Sequence, residues 1–458
     1  MYCLLRPCFR ASSRLITKVK LKYVCICVSL IILLDFFGAF THLLEVTYDS
    51  NFVYPYEGDV HEFVNALRHK EKPKVPPINE FNYTFILDNK QKCIDPAYSS
   101  YRVVYIVKSS IENFERRLAI RKSWGFEKRF FDVPSKTLFM LGVHPNDNEL
   151  QTKVEAEAAK YKDIVQVDFI DSYYNNTIKT MMAFKWLVKY CSNSKFYMFV
   201  DDDMYVSVKN VLRFIRNPAN YPDYLKEPKK IGAHKREIKD SYEMGESNNK
   251  DAVTNKISNT LTESHLPEDI INTFTTNKFT HTPKQNSHDN IPTKTSADKF
   301  NASSFNEKKI MRNDITLNRR KRQIFDLELP EDVRLYAGFV FVSSPHRHKS
   351  SKWYVSLSEY PYHLWPPYVT AGAYILSKEA LLDMYYTSFY TKYFKFDDIY
   401  IGLIAKKADI EPFHCEEFHF YKKDYTKFNY KYVITSHGYG NPSELLNAWN
   451  EQKALGNA

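Results

Sequence analysis

KFYMFVDDDMYVSVKNV, residues 195–211, runs an aromatic, apolar stretch straight into three consecutive aspartates, Asp201, Asp202 and Asp203. The apolar part predicts a buried strand, and the acids fall where it ends. Adjacent carboxylates repel one another, and burying even one without a partner is costly. The stretch therefore demands counter-charge. Ligands of open α/β sheets gather at the carboxyl ends of strands, and hard oxygen donors suit Mg²⁺ or Mn²⁺ bridging to a phosphorylated ligand. A divalent ion tethered to such a ligand would neutralise the three acids. A solvated acidic turn, or the start of the helix in SVKNVLRFI, accounts for them without any ligand.

The surroundings favour a sheet. YRVVYIVKSS (101–110) reads as a buried strand and NFERRLAIRKSW (113–124) as a basic amphipathic helix. KTLFMLGV, NELQTKVEAEAAKYKDI, VQVDFID and NTIKTMMAFKWLVKYC then alternate strand and helix up to the acidic strand. Such alternation predicts an α/β fold with helices on the faces of the sheet. From 229 to 328 the chain becomes rich in Asn, Thr, Ser and Lys and loses its periodicity, which reads as a disordered insertion. It ends in NRRKRQ, where Arg319–Arg322 form either a convertase site or a plain basic patch. Order returns at LYAGFVFVSS.

Length and composition set the outer bounds. The 458 residues, 44% hydrophobic and 16% aromatic, describe a folded chain with a sizeable core. The net charge of +10 invites a nucleic-acid partner. Part of that excess, however, sits in residues 1–22, where Arg6, Arg10, Arg14, Lys18, Lys20 and Lys22 face no acid. The apolar run that follows, 23–44, predicts a signal anchor with a cytoplasmic tail before it and a luminal body after it. Asp35 is the objection, at roughly 2.5–3.5 kcal/mol near the bilayer centre, which the surrounding Val, Ile, Leu and Phe offset at roughly 0.3–0.6 kcal/mol each. A cleaved signal peptide is the rival, weakened by the long apolar core and the lack of a small-residue cleavage site. A lumen offers no nucleic acid.

Residues 45–100, punctuated by KEKPKVPPIN, read as a stem. Cys93, Cys191 and Cys415 allow one disulfide with one thiol left over, and no CxxC pair suggests zinc. Asn82, Asn175 and Asn301 head sequons that suit an oxidising lumen.

A second acidic pair, Asp397 and Asp398 in YFKFDDIYIGLIAKKADI, precedes an apolar helix. One acid for a metal and another as general base is what metal-assisted transfer to a hydroxyl needs. Helix capping is the plainer account, and for Asp397 the better one. With RRLAIRKSW, NNTIKTMM, FYMFVDDDMYV, WPPYVTAGAYILS and FDDIYIGLIA in this order, the chain resembles the inverting β1,3-glycosyltransferases of family 31. The resemblance covers the anchor and nearly all of residues 100–458 except the insertion.

That resemblance implies a GT-A, Rossmann-like domain in two parts, 101–228 for the nucleotide sugar and 329–458 for acceptor and base. It implies a single-pass type II enzyme of the Golgi membrane using Mn²⁺ and a UDP-sugar. Asp203 would ligate the metal, with His437 of TSHGYG completing its sphere. Asp201 and Asp202 would serve the nucleotide, and Arg117, Arg121 and Lys179 its diphosphate and uracil. Gly372 would let the backbone approach the sugar, and Asp398 would be the base. The implied donor is UDP-GlcNAc, with UDP-Gal the close alternative, and the acceptor a β-mannosyl glycolipid or a glycoprotein. Two other readings stand beside it: a catalytically silent luminal glycan-binding protein, which has no use for a base, and a DxDxT phosphatase, which Met204-Tyr205 after the acids disfavours.

Overall fold

The structure, a computed structural model, describes residues 21–53, 58–130, 132–226 and 329–458. The cytoplasmic-tail reading of 1–22 (but for its last two residues), the 229–328 insertion, Arg319–Arg322 and the Asn301 sequon lie outside the described residues.

One eight-stranded sheet organises the body, in the order β1-β4-β3-β2-β5-β8-β7-β9. Its strands are β1 (Phe85–Leu87), β2 (Tyr101–Lys108), β3 (Ser135–Val143), β4 (Ile164–Ile170), β5 (Ser194–Asp201), β7 (Tyr336–Phe341), β8 (Tyr368–Ser377) and β9 (Phe413–His414). A smaller sheet joins β6 (Tyr205–Val206), β10 (Phe418–His419) and β11 (Thr435–Ser436). Strands β2–β5 are mutually parallel, whereas β8 runs antiparallel to β5 and β7 antiparallel to β8. The α/β expectation is met by a mixed sheet.

Strand β2 shows why its sequence reads as a nearly unbroken apolar run. Val104 and Ile106 enter one core with Trp186, and Val103, Tyr105 and Val107 enter the other with Trp124. A strand covered on both faces has no polar side to show. The helices that cover it are α3 (Phe114–Lys122), α4 (Asn148–Tyr161), α5 (Asn176–Tyr190), α6 (Val208–Arg216), α7 (Lys378–Ser388), α8 (Asp397–Lys407) and α9 (Pro442–Ala454), preceded in the chain by α1 (Leu21–Phe36) and α2 (His61–Arg68).

Chain direction creates the site. From β2 the chain builds outward through β3 and β4, then returns to add β5 on the other side of β2. A crevice opens at such a reversal, beyond the carboxyl ends of the two strands. There Lys108 of β2 stands opposite Asp201 of β5 in the register.

The expected stem is not a spacer. β1 pairs antiparallel with β4. Arg68 of α2 bonds Glu379 at 2.5 Å and also Asp383 of α7. Val60, Phe63 and Val64 form a small core with Tyr390, and Cys93 is joined to Cys191. Prolines erased the local periodicity, but the apolar residues between them still found cover.

At the N-terminus, α1 spans 16 residues and keeps Tyr23, Ile26, Leu30 and Ile32 exposed. Among the described residues no helix is long and apolar enough to cross a membrane. Asp35 lies in the last turn of α1, where its carboxylate accepts from Lys349 Nζ at 2.5 Å.

Candidate active site

Three acids side by side receive three different protein partners. Asp201 Oδ1 is 3.0 Å from Lys108 Nζ. Asp202 is buried and accepts from Ser109 Oγ (2.7 Å), Asn113 Nδ2 (2.8 Å) and Arg116 Nη1 (2.9 Å). Asp203 Oδ2 is 3.3 Å from His437 Nε2. Each acid of the triplet thus has its own protein partner, the third of them, His437, a counter-charge only when protonated.

Each environment leaves its mark on the acid. Burial drives the Asp201 carboxyl up to about 6, with Lys108 opposing and the charges of Asp397 and Asp203 adding. Asp203 moves the other way: burial raises it, but the His437 bond and the charges of His437 and Arg116 leave it below its ordinary value. His437 is raised in turn by its bond to Asp203, against the effect of burial. Only a three-dimensional pairing brings these two together. β6 lies antiparallel to β11 with Tyr205 opposite Ser436, so the residues flanking that pair meet. The Tyr439 N–H donates to the Asp203 carbonyl at 2.7 Å, and Gly438 makes the intervening turn at φ +85°, a conformation that costs glycine little.

Across the crevice stands the second acidic pair, at the start of α8. Asp397 is not the cap of that helix; Phe396 is. Its Oδ2 instead accepts from Lys108 Nζ at 2.8 Å and from Thr180 Oγ1 at 3.3 Å. Asp398 has no basic partner at hydrogen-bond distance among the described residues and accepts from the Ile399 N–H at 2.8 Å. Burial, reinforced by the Asp397 charge, lifts its carboxyl to about 7. At neutral pH such a group both accepts and releases a proton readily.

Asp201, Asp397, Asp398, Gly372 and His437 line one cleft of about 440 Å³. Its aromatic walls are Tyr173, Phe341, Trp353, Trp365 and Tyr368. Apolar ring faces with a few convergent polar groups suit a sugar. Trp365 is nearly buried, its ring centroid 4.0 Å from that of Tyr360, and the Tyr368 hydroxyl shares a 3.0 Å bond with Ser343. Gly402 seats α8 against β8, since a Cβ there would come within 2.5 Å of Tyr368 Cβ. At Gly372 the picture differs. A Cβ would meet Met204 Sδ at 3.5 Å and His437 Cδ2 at 3.9 Å, ordinary contacts, so protein packing does not require that glycine.

Four expected donor contacts turn inward. Arg117 is fully buried and donates to Glu157, Ser109 Oγ and the carbonyls of Ser110 and Ile111, which uses every arm of its guanidinium. Arg121 is held between Asp163 and Glu157. Lys179 Nζ donates to Asp171 and to the Ser109 carbonyl, both at 2.7 Å. Asp202 is consumed as above. Freeing any of these for a ligand would strand a buried charge. Sequence reasoning overlooked Lys108 and Arg116. The partly exposed Arg116 donates to Asp202 and to the Gly440 carbonyl, yet nothing in RRLAIRKSW distinguishes it from its buried neighbour.

Among the described residues no three His, Cys, Asp or Glu side chains converge into a ready-made cage. Asp203 and His437 nonetheless offer one carboxylate and one imidazole, donors that fit Mn²⁺ if a ligand's oxygens fill the remaining positions.

Comparison with known proteins gives the family. The Galactosyltransferase family model matches residues 115–227 and 226–416. "Beta-1,3-galactosyltransferase brn" of Drosophila melanogaster is 32% identical over 434 residues, covering 94% of this chain and 96% of its own. "Beta-1,3-galactosyltransferase 1" of Homo sapiens is 24% identical, covering 82% and 81%. "Lactosylceramide 1,3-N-acetyl-beta-D-glucosaminyltransferase B" of Danio rerio is 24% identical, covering 95% and 86%. With a cleft that pairs a poised carboxyl with aromatic walls, and a family match spanning the sheet that builds it, the chain belongs to the Galactosyltransferase family and is a glycosyltransferase.

Proposed function

We propose that the chain is an inverting β1,3-glycosyltransferase with a GT-A catalytic domain. In this reading it moves N-acetylglucosamine from UDP-GlcNAc to a β-mannosyl or other glycosphingolipid acceptor. One observation carries the reading: Asp398, held near 7, opens into the same cleft as Asp201, Gly372 and His437. Asp398 takes the proton of the acceptor hydroxyl as that oxygen bonds to the anomeric carbon. The bond from that carbon to the UDP oxygen breaks, its electron pair leaving with UDP, and one displacement inverts the centre. Asp203 and His437 would hold Mn²⁺, which when bound supplies charge stabilisation for the departing diphosphate. Asp201 orients the nucleotide side, and Lys108 holds Asp201 and Asp397 apart from the base.

UDP-Gal is the second donor reading, favoured by the galactosyltransferase names of two of the relatives. The exposed apolar surface of α1 and the basic residues before it support a Golgi membrane anchor over 23–44, type II, with the body luminal. Incubating the purified chain with each UDP-sugar, Mn²⁺ or chelator, and defined acceptors tests the whole. Product linkage other than β1,3, or Asp203→Ala retaining full activity, overturns it.

A further inference from the structure

The stretch read as an anchor is joined to the body at its end. Besides the Asp35–Lys349 pair, the rings of Phe36 and Phe37 meet that of His348 with centroids 5.1 and 4.7 Å apart. The Lys349 N–H donates to the Phe36 carbonyl at 3.3 Å. Gly38 packs so closely that a Cβ would come within 2.7 Å of the Arg347 carbonyl oxygen. No spacer intervenes.

The same loop continues into the wall of the cleft. His346 and Trp353 line it, and Trp353 Nε1 donates to the Tyr173 hydroxyl at 2.8 Å. Outside that wall Tyr173 and Tyr174 are each 50% exposed and Trp353 43%. The Lys352 ammonium lies 4.4 Å from the Trp353 ring centroid and 5.4 Å from that of Tyr173. Trp and Tyr with an ammonium on a long apolar stem is the side-chain set of the membrane–water interface. One end of the loop thus grips α1, while the other carries an interfacial rim beside the cleft.

We propose that this rim rests on the bilayer that holds α1, so that the cleft opens at headgroup level and takes saccharides carried by a membrane lipid. The proposal rests on reading 23–44 as an anchor and extends the proposed function to how the acceptor is presented. Lys349 offsets Asp35 where α1 meets the body, and Lys352 sets the rim at the level of the lipid phosphates.

The native tryptophans provide the test. Trp124, Trp186, Trp365 and Trp449 are each at most 4% exposed, so Trp353 is the one that lipid can reach directly. The full chain, reconstituted in phosphatidylcholine–phosphatidylserine vesicles, should lose tryptophan fluorescence when headgroup-spin-labelled lipid is included. Trp353→Phe should abolish most of that loss. Equal quenching of both proteins overturns the proposal, while a chain that fails to float with the vesicles removes the anchor reading and the proposal with it. In a second arm, Lys352→Glu should cut transfer to a vesicle-borne glycolipid by about fivefold or more, the factor one lysine near an anionic surface is worth. Transfer to the same saccharide free in solution should be unchanged. Equal losses on both acceptors also overturn it.

Discussion

Lys108 Nζ lies 2.8 Å from Asp397 Oδ2, joining the end of the second strand to the start of the helix that carries Asp398. Because the same ammonium is 3.0 Å from Asp201, one buried cation serves both sides of the cleft. Burial would favour its neutral form, but the two carboxylates outweigh that and hold it charged.

Replacing Lys108 by Met should therefore leave two acids without their cation. Breaking a buried pair costs about 3–5 kcal/mol, so the variant should melt well below the wild type. Lys108→Arg retains the charge and should recover most of the stability, while its larger head displaces Asp201 and Asp397. Thermal denaturation with kcat and KM measured side by side checks this: a fall in kcat exceeding any rise in KM in the Arg variant is expected.

Asp398→Asn should reduce kcat by roughly 10²–10⁴-fold, the usual contribution of a general base, with donor affinity unchanged in calorimetry. In the wild type, activity should fall as pH drops through about 7, because only the ionised carboxylate accepts a proton. The stability effect has the opposite sense. The folded carboxyl holds its proton up to about 7, against 3.8 ordinarily, so through that window the unfolded chain releases a proton that the folded one keeps, and stability falls as pH rises. At pH 8 the Asn protein should consequently melt above the wild type, while at pH 4 the two should coincide.

Gly372→Ala should fold and melt like the wild type, since its Cβ would meet only ordinary contacts. A methyl beside His437 would nevertheless intrude on the donor side of the cleft. A raised donor KM with an unchanged melting temperature is the expected pattern.

The adjacent arginines should separate in magnitude. Arg117→Ala leaves Glu157 with Arg121 alone and takes the donor from the Ser110 and Ile111 carbonyls, so it should destabilise the fold by about 1–3 kcal/mol for each buried group left unsatisfied. Arg116→Ala leaves the buried Asp202 with only the neutral donors Ser109 and Asn113, so it should also destabilise the fold, but by less, because Arg116 is partly exposed and two hydrogen bonds to Asp202 remain. Denaturant melts of the two variants check this.

Much of the frame was legible because buried strands and amphipathic helices impose their periods locally. The strand before Asp201 and the helix after Asp398 fell where sequence placed them. Partnership was harder to read. Whether Arg116 or Arg117 faces outward depends on Glu157 arriving from α4, and whether Asp203 meets His437 depends on a two-residue strand pairing. The stem was misread because its apolar residues are covered by α7 and β4, elements distant in the chain. Charge explains the rest: basic residues suggested phosphate contacts, but the acids that occupy them, Glu157 on α4 and Asp163 and Asp171 at the two ends of β4, come from elsewhere in the chain.

The seating of α8 on β8 through Gly402 couples Asp398 rigidly to the Tyr368 side of the cleft. Another wall is the loop 343–354, which meets Tyr368 through the Ser343 hydroxyl but contains no glycine packed against α8 among the described residues. That loop can therefore be rebuilt around a different sugar without moving Asp398, the base of the proposed reaction.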